Sequence, residues 1–508
     1  MIEDAYPEIL RDPPRLLRLL KTKPERYWNK WGEERALTLF HAMALRVPAY
    51  KDFLKKYRVR PSTIKTITDF RQIPTIDKDN YLRRYPLPSL CWGGNLNKKA
   101  TTISATSGST GEPFYFPREK EQDLQYAATA ELYLLNNFQI DKKSTLYIDC
   151  FGMGVWIGGV FTYEAIRLVA ERGKYKLHII TPGIFKEETL RAVKRLGPLY
   201  DQILIGGYPP LVKDLIDDGI RKGVQWEKFD LGIIFSAEGF DELFRNYIIK
   251  KARLKNPYMS TLNHYGSVDL GTMAHETPLS IYIRRKATHR HQLFSALFGE
   301  TQTMPTLCQY NPIQFYFESI DQHLICSSYS GIPLTRYDLK DIGGVIPYEV
   351  MKNKINTLHI PLLNELRGAH IANTAWHLPF VYIFERSDFI VKLYGANIYP
   401  GTIRKALQSY KTASFVTGKF LMRIRRDARQ NQLLEINIEL KSDIKPTAHL
   451  SSLIQKTVVN LLLEENSEYT SNYKGDPKKQ QPVIVLWKYE DSLFFKPGTK
   501  QKWIQKYP

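Results

Sequence analysis

The stretch Thr101-Thr102-Ile103-Ser104-Ala105-Thr106-Ser107-Gly108-Ser109-Thr110-Gly111-Glu112-Pro113 concentrates small hydroxyl residues and glycines. Such a loop lets backbone approach a polyanion closely, and its N–H groups and hydroxyls can donate hydrogen bonds to phosphate oxygens. It is not a Walker loop, because the Gly-Lys-Ser/Thr ending and its phosphate-binding lysine are missing. Taken alone, Ser/Thr/Gly stretches are more often plain turns. His275, His289, His291 and Cys308 fall within one segment but match no compact zinc pattern, so satisfied polar histidines are expected there. No Gly-x-Ser-x-Gly elbow supports a serine hydrolase. Cys91, Cys150, Cys308 and Cys326 form no CxxC pair, which excludes a disulfide framework and suits a reducing cytoplasm.

Those side chains need elements to hold them. From about residue 145, apolar runs at 146–148, 177–180, 203–205 and 231–235 alternate with helix-period segments near 156–172, 186–195, from Pro209 or Pro210 onward, and near 241–253. Short apolar runs between longer helices mark a parallel α/β sheet, and prolines suit the first turn of the third helix. Residues 1 to about 100 read as helical and irregular, and 305–345 as strand-rich. The remainder mixes an alternating strand at 433–440, a helix near 450–463 and a last strand near 483–486. The expected fold class is α/β: a large N-terminal domain, 1–386, with mostly parallel sheets flanked by helices, and a small α+β C-terminal domain, 387–508.

The 508 residues suit two to four folding units at about 150 residues each. With 43% hydrophobic and 24% charged residues the chain can bury a large core, and Gly 30 with Pro 29 is too little for a low-complexity or collagen-like chain. Lys+Arg exceed Asp+Glu by 72 to 52, a net charge of +20. That excess steers polyanions to the surface (nucleotides, coenzyme A, acidic carrier proteins, nucleic acid, anionic lipid) without choosing among them. A well-solvated basic surface accounts for it equally well. No apolar run approaches the ~20 residues of a membrane span. Met1-Ile2-Glu3-Asp4 lacks the basic and then apolar start of a secretory signal, so a cytoplasmic protein is expected. No helix-turn-helix, zinc-finger or RRM signature points to nucleic acid.

The hydroxyl-rich stretch has company. Thr106-Ser107-Gly108-Ser109-Thr110-Gly111-Glu112-Pro113 resembles the phosphate loop of the adenylate-forming superfamily, which includes acyl-CoA ligases, peptide-synthetase adenylation domains and luciferases. His264-Tyr265-Gly266-Ser267-Val268-Asp269 resembles that family's Tyr-Gly-x-Thr-Glu segment. Pro333-Leu334-Thr335-Arg336-Tyr337-Asp338-Leu339-Lys340-Asp341 is similar to its Tyr-Arg-Thr-Gly-Asp region in the variant used by phenylacetate-CoA ligases. Arg386-Ser387-Asp388, followed by Lys392-Leu393-Tyr394-Gly395-Ala396-Asn397-Ile398-Tyr399-Pro400, resembles the hinge and glycine turn that open the mobile C-terminal domain. Lys496-Pro497-Gly498-Thr499-Lys500 sits where the family places its late catalytic lysine. The segment 151–159, Gly207-Tyr208-Pro209 and Ala237-Glu238-Gly239 also look like the phenylacetate-CoA ligase branch. Each motif is weak, but together they keep the family's order from Thr106 to Lys500.

The resemblance implies a division of labour. Thr106, Ser107, Gly108, Ser109, Thr110 and Gly111 would hold the β- and γ-phosphates of ATP. Tyr265, with Gly266 and Ser267, would flank adenine, and Gly239 would let the base lie against backbone. Asp341 would grip the ribose hydroxyls, with Arg386 completing that contact, and Asp388 would be the hinge. Lys500 would reach the substrate carboxylate and the α-phosphate, offsetting the repulsion between two anions. Asp269 would be the catalytic and metal-facing carboxylate for Mg2+, the cation that phosphates and hard oxygen ligands select. Bland alternatives stand beside these roles. Tyr265 could be a core aromatic, Asp341 a turn cap, and Lys500 part of a solvated basic tail in which Lys496 or Lys502 acts instead. Three departures mark a divergent chain: Asp269 where the family has glutamate, Phe114 where many relatives carry lysine, and Asp338-Leu339-Lys340 before the ribose aspartate.

Ligands of open α/β sheets sit at the carboxyl ends of the strands. Phe151, Trp156, Tyr208, Phe235 and Ala237 fall near such ends and are the candidate acyl pocket, whose aromatic lining favours an apolar acid. The implied activity is ATP-dependent conversion of a small carboxylic acid to an acyl-adenylate, followed by transfer to a thiol of coenzyme A or a carrier-protein phosphopantetheine. An amine or protein thiol as acceptor, or a degenerate nucleotide- or polyanion-binding protein, remain as alternatives. The acid and the oligomeric state are not legible.

Overall fold

The computed structural model describes residues 6–96, 100–106, 113–299, 304–386, 391–491 and 493–495. A hairpin of β1 (Ala100–Ala105) and β2 (Tyr115–Glu119) frames the hydroxyl-rich stretch. The four expected parallel strands follow, β3 (Thr145–Asp149), β4 (Leu177–Ile180), β5 (Gln202–Gly207) and β6 (Leu231–Phe235), and a fifth that the sequence pattern did not mark, β7 (Thr261–Ser267), joins them. An antiparallel half extends the same sheet with β8 (Gly271–His275), β9 (Thr306–Gln309), β10 (Phe315–Ile320), β11 (His323–Ser328), β12 (Leu334–Ile346) and β13 (Phe380–Arg386). The resulting 11-stranded order is β10-β11-β12-β13-β9-β8-β7-β6-β5-β3-β4. Beyond it lie a short hairpin, β14 (Val391–Leu393) and β15 (Ala396–Ile398), and a separate sheet of β16 (Val416–Arg426), β17 (Gln432–Leu440) and β18 (Val483–Trp487). This is the α/β class read from the sequence, with a smaller C-terminal sheet region.

The parallel strands read as unbroken apolar runs because helices cover both of their faces. On one face, helices Lys120–Phe138 and Ile157–Glu171 bury Tyr126, Tyr133, Phe161 and Val169 against Tyr147, Leu204, Ile234 and Leu262. On the other, helices Lys186–Leu196, Pro209–Arg221 and Glu242–Lys251 bury Val193, Val212 and Phe244 against Ile148, Ile205 and Ile233. That second cluster runs on into Leu393, Ile398, Ile436 and Leu462, so the C-terminal elements share its apolar core. Each such side chain contributes about 1.5–3 kcal/mol when fully buried. Helix starts follow the sequence: Pro209 and Pro210 occupy the first turn of their helix, and the Asp241 carboxylate accepts the Phe244 N–H at 2.7 Å.

The N-terminal helices are stitched to a helix 323 positions later. The Glu25 carboxylate, at the start of helix Glu25–Arg46, accepts the backbone N–H groups of Tyr348 and Glu349 at the start of helix Tyr348–Thr357. Cys91, Cys150, Cys308 and Cys326 are all buried and unpaired. Among the described residues no helix is long and apolar enough to cross a membrane.

His264 and His275 lie buried on β7 and β8 with ring centroids 6.4 Å apart. Burial holds both rings neutral: His264 falls well below the usual histidine range, and His275 falls to about 4 although the Glu276 carbonyl opposes the shift. Below pH about 6.5 the unfolded chain takes up protons that the folded chain refuses. The histidines' contribution is therefore complete above that pH and is lost as pH falls toward 4, His275 alone accounting for on the order of 3 kcal/mol. Glu468, which burial raises to about 8, acts in the opposite sense, so the test is a difference: in urea unfolding at pH 7, 6, 5 and 4.5, His275→Gln should lose less stability on acidification than the parent.

Candidate active site

The hydroxyl of Tyr265, near the end of β7, donates to Asp341 Oδ2 in β12 at 2.6 Å. Asp341 in turn lies opposite Arg386 in the β12–β13 register. Three positions 121 residues apart at their extremes thus converge, although the Arg386 side chain lies outside the described residues. Gly266 passes so close to β8 that a Cβ there would meet the Gly271 carbonyl oxygen at 2.7 Å. Ser267 Oγ accepts the Leu270 N–H at 3.3 Å and shapes the turn that carries Asp269. Gly239 is exposed just beyond β6, where a Cβ would lie 3.3 Å from Thr306 Oγ1 on β9.

Thr106 closes the base of the hydroxyl-rich loop. Its N–H donates to the Phe114 carbonyl at 3.0 Å, and its Oγ1 accepts the Phe114 N–H at 2.9 Å. The neighbouring Ala105 N–H donates to the Val155 carbonyl at 2.8 Å, tying the loop base to the segment before helix Ile157–Glu171. Ser107, Gly108, Ser109, Thr110 and Gly111 lie outside the described residues, as do Asp388 and Lys500 with its neighbours Lys496 and Lys502.

Asp269 is buried, and its Oδ2 accepts the Tyr337 hydroxyl while pairing with Lys78 Nζ at 3.3 Å. A divalent cation there would have to share this carboxylate with an ammonium group. Among the described residues no group of three His, Cys, Asp or Glu side chains could hold a metal. The described residues therefore do not form a magnesium site by themselves. His289 and His291 are exposed, while His275 Nδ1 meets the Glu276 carbonyl and Cys308 Sγ the Asn263 carbonyl.

The departure at residues 338–340 has a structural reason. Lys340 Nζ lies 2.8 Å from both Asp77 and Asp338, and Asp338 N–H donates to the Ile76 carbonyl at 2.8 Å. Partial burial works against the Lys340 charge, but Asp338 and Asp77 outweigh it and hold the lysine above its ordinary range. This brace fastens β12 to the segment around Ile76, which forms a bridge with Tyr337. Neither the Lys78–Asp269 pair nor the Asp77 arm of this brace has any local sequence signal, because the partners lie far apart in the chain.

Of the candidate acyl residues, Phe151, Trp156 and Tyr208 come together. The Phe151 and Tyr208 rings meet edge to face at 5.4 Å, and a Cβ on Gly152 would touch both Tyr208 Oη at 3.3 Å and Trp156 Cε3 at 3.7 Å. Phe235 turns the other way, into the core against Phe240 and Phe244 at 4.9 and 5.9 Å. Ala237 sits at φ +73°, and its carbonyl accepts from Lys392 Nζ of β14. Tyr208 also faces the C-terminal elements, its ring 3.0 Å from where a Cβ on Gly395 would be.

Over most of the chain this fold has solved counterparts. A structure of 2-hydroxyisobutyryl-CoA ligase in complex with 2-HIB-AMP and CoA, in the thioesterification state, matches 96% of this chain and 91% of its own with a TM-score of 0.64 at 14% identity. The chain has the fold of this CoA ligase. The same ligase in the postadenylation state with 2-HIB-AMP gives a TM-score of 0.52 over 96% of this chain and 90% of its own, at 14% identity. Its open conformation with 2-HIB-AMP and CoA gives 0.51 over 94% and 91%, also at 14% identity. Since those are arrangements of one protein, the spread in TM-score reflects arrangement. No family model matches the chain, and no curated protein matches it by sequence.

The Tyr265–Asp341 bond links β7 to β12 across the antiparallel half of the sheet. In urea unfolding, Tyr265→Phe and Asp341→Asn should be non-additive, with a coupling of about 0.5–3 kcal/mol in the double-mutant cycle.

Proposed function

We propose that this chain activates a carboxylic acid as an acyl-adenylate and then passes the acyl group to a thiol. A carboxylate oxygen attacks the α-phosphorus of ATP, the bond to the β-phosphate breaks, and pyrophosphate leaves. The thiol then attacks the acyl carbon and AMP leaves. The observation that carries the reading is the meeting of Tyr265 with Asp341, in register with Arg386, under the adenylate-forming fold. In this reading Asp341 accepts the ribose hydroxyls with its carboxylate aligned by Tyr265, and the Thr106 base presents the 107–111 loop to the phosphates. Phe151, Trp156 and Tyr208 line the acyl pocket. Lys500 serves the adenylation step, and residues from 387 onward act as a lid that turns about Asp388 between the two steps. Magnesium bound to ATP would supply charge neutralisation on the phosphates.

The thiol as acceptor is supported by the whole-chain match, whose TM-score is 0.64 to the ligase in its thioesterification state against 0.52 and 0.51 to its postadenylation and open states. A degenerate nucleotide-binding protein is the second reading, favoured by the Asp269–Lys78 pair and the net charge of +20. ATP–pyrophosphate exchange over a panel of acids separates the two: exchange above blank with any acid supports activation, and none with all of them supports binding alone. Coenzyme A, carrier protein and amines added separately then identify the acceptor.

Two substitutions test the assignment. Asp341→Ala should weaken ATP binding by about 1.5–3 kcal/mol in calorimetry, the range for a lost hydrogen bond to a charged group. Lys500→Ala should suppress adenylate formation while sparing transfer from a preformed adenylate, and equal loss of both steps would contradict its role.

A further inference from the structure

The segment just after β6 carries polar chemistry that the reaction does not use. Ala237 holds a left-handed backbone, which a residue with a Cβ adopts only at a cost, and its carbonyl accepts from Lys392 Nζ. Glu238 beside it is buried, with 5% exposure. One carboxylate oxygen accepts the backbone N–H of Gly395, and the other accepts Gln432 Nε2 at 3.2 Å. Its own carbonyl accepts Asn263 Nδ2 of β7 at 3.0 Å, so the carboxylate is anchored on the large sheet and spent on the C-terminal elements. Burial raises the Glu238 carboxyl above its ordinary range, against the Gly395 N–H and the charges of Arg426 and Lys392.

The turn that Glu238 holds is shaped for insertion. Tyr394 and Gly395 connect β14 to β15 at φ +50° and +88°, and Gly395 lies flat against the Tyr208 ring. The same turn is gripped from its other side. Tyr394 Oη donates to Asp214 at 2.9 Å, and Asp214 also pairs with Lys479 at 3.1 Å. Farther out, Lys186 Nζ bridges Asp218 and Asp476 at 2.9 Å each. A buried carboxylate is stable only while paired, and an N–H is a directional partner. If the C-terminal elements turned away, Glu238 would lose Gly395 and Gln432 together and be rehydrated.

We propose that Glu238 is a positioning residue that selects the acceptor-transfer arrangement by binding the Gly395 N–H, with Asp214 steadying the same turn through Tyr394 and Lys479. This rests on the two-step reading above. Because Glu238 stands one residue from Gly239, the clasp also places the turn directly beside the expected adenine platform.

The test reads arrangement without substrate. A Cβ built on Gly475 lies 3.0 Å from Ile184 Cδ1 and 3.4 Å from its Cγ1, so cysteines introduced at both positions fall within bridging range across the interface. The four native cysteines are buried, which keeps the background low. Under copper-phenanthroline oxidation, Ile184→Cys/Gly475→Cys should form an internal disulfide seen as a gel shift. Adding Glu238→Ala should slow its formation about tenfold, the factor of one charge-assisted hydrogen bond, and Glu238→Gln should lie between the two. Asp214→Asn should slow it as well, and carries the test if Glu238→Ala does not fold. In activity assays without the cysteines, Glu238→Ala should lower the acceptor-dependent step and leave ATP–pyrophosphate exchange within twofold. Disulfide rates within twofold of the parent in both Glu238→Ala and Asp214→Asn would overturn the proposal. Absence of exchange in the unsubstituted protein would instead sink the two-step reading while leaving the disulfide result to stand on its own.

Discussion

One hydrogen bond sets the shape of the site: Tyr265 Oη to Asp341 Oδ2, at 2.6 Å. In the sheet order, β7 and β12 are separated by β8, β9 and β13. Four inter-strand steps of about 4.8 Å would place them roughly 19 Å apart in a flat sheet. The antiparallel half must therefore curl back on itself, and the chain provides for it. β7 pairs with β6 through Thr261–Asn263 and with β8 from His264 onward, and β12 changes partner from β11 to β13 near Lys340, whose φ is +59°. The Lys340 brace to Asp77 and Asp338 stiffens the same bend. A flat sheet would scatter the residues that the curl gathers.

The second organising constraint is the placing of charge between the large sheet and the C-terminal elements. That interface combines a continuous apolar core with a few buried acceptors, Glu238 and Asp214 foremost. The apolar part attracts without direction, whereas hydrogen bonds to a carboxylate discriminate by geometry. In an interface so built, the carboxylates are paired in one register, the one observed.

Much of the architecture was legible because it is local. The runs at 177–180 and 231–235 coincide with β4 and β6, and the proline pair opens its helix as its chemistry requires. The five spaced motifs named the fold correctly, and Tyr265 with Asp341 could be nominated from them. What stayed hidden is non-local. Nothing near Asp269 announces Lys78 or Tyr337, and nothing near Glu238 announces a backbone N–H 157 residues later. Phe235 illustrates the limit of reasoning by strand ends: it is at the right end of β6 but on the side facing helix Glu242–Lys251, because side chains alternate along a strand.

The capping of helix Tyr348–Thr357 by Glu25 bears on biogenesis. The two partners are 323 positions apart. At about 5–20 residues per second, a ribosome needs roughly 16–65 s to travel that distance. Through that interval the nascent N-terminal helices, including the apolar side chains Trp28 and Phe40 that the finished protein hides completely, have no final home. The packing of the first hundred residues is thus completed only after residue 349 has been made.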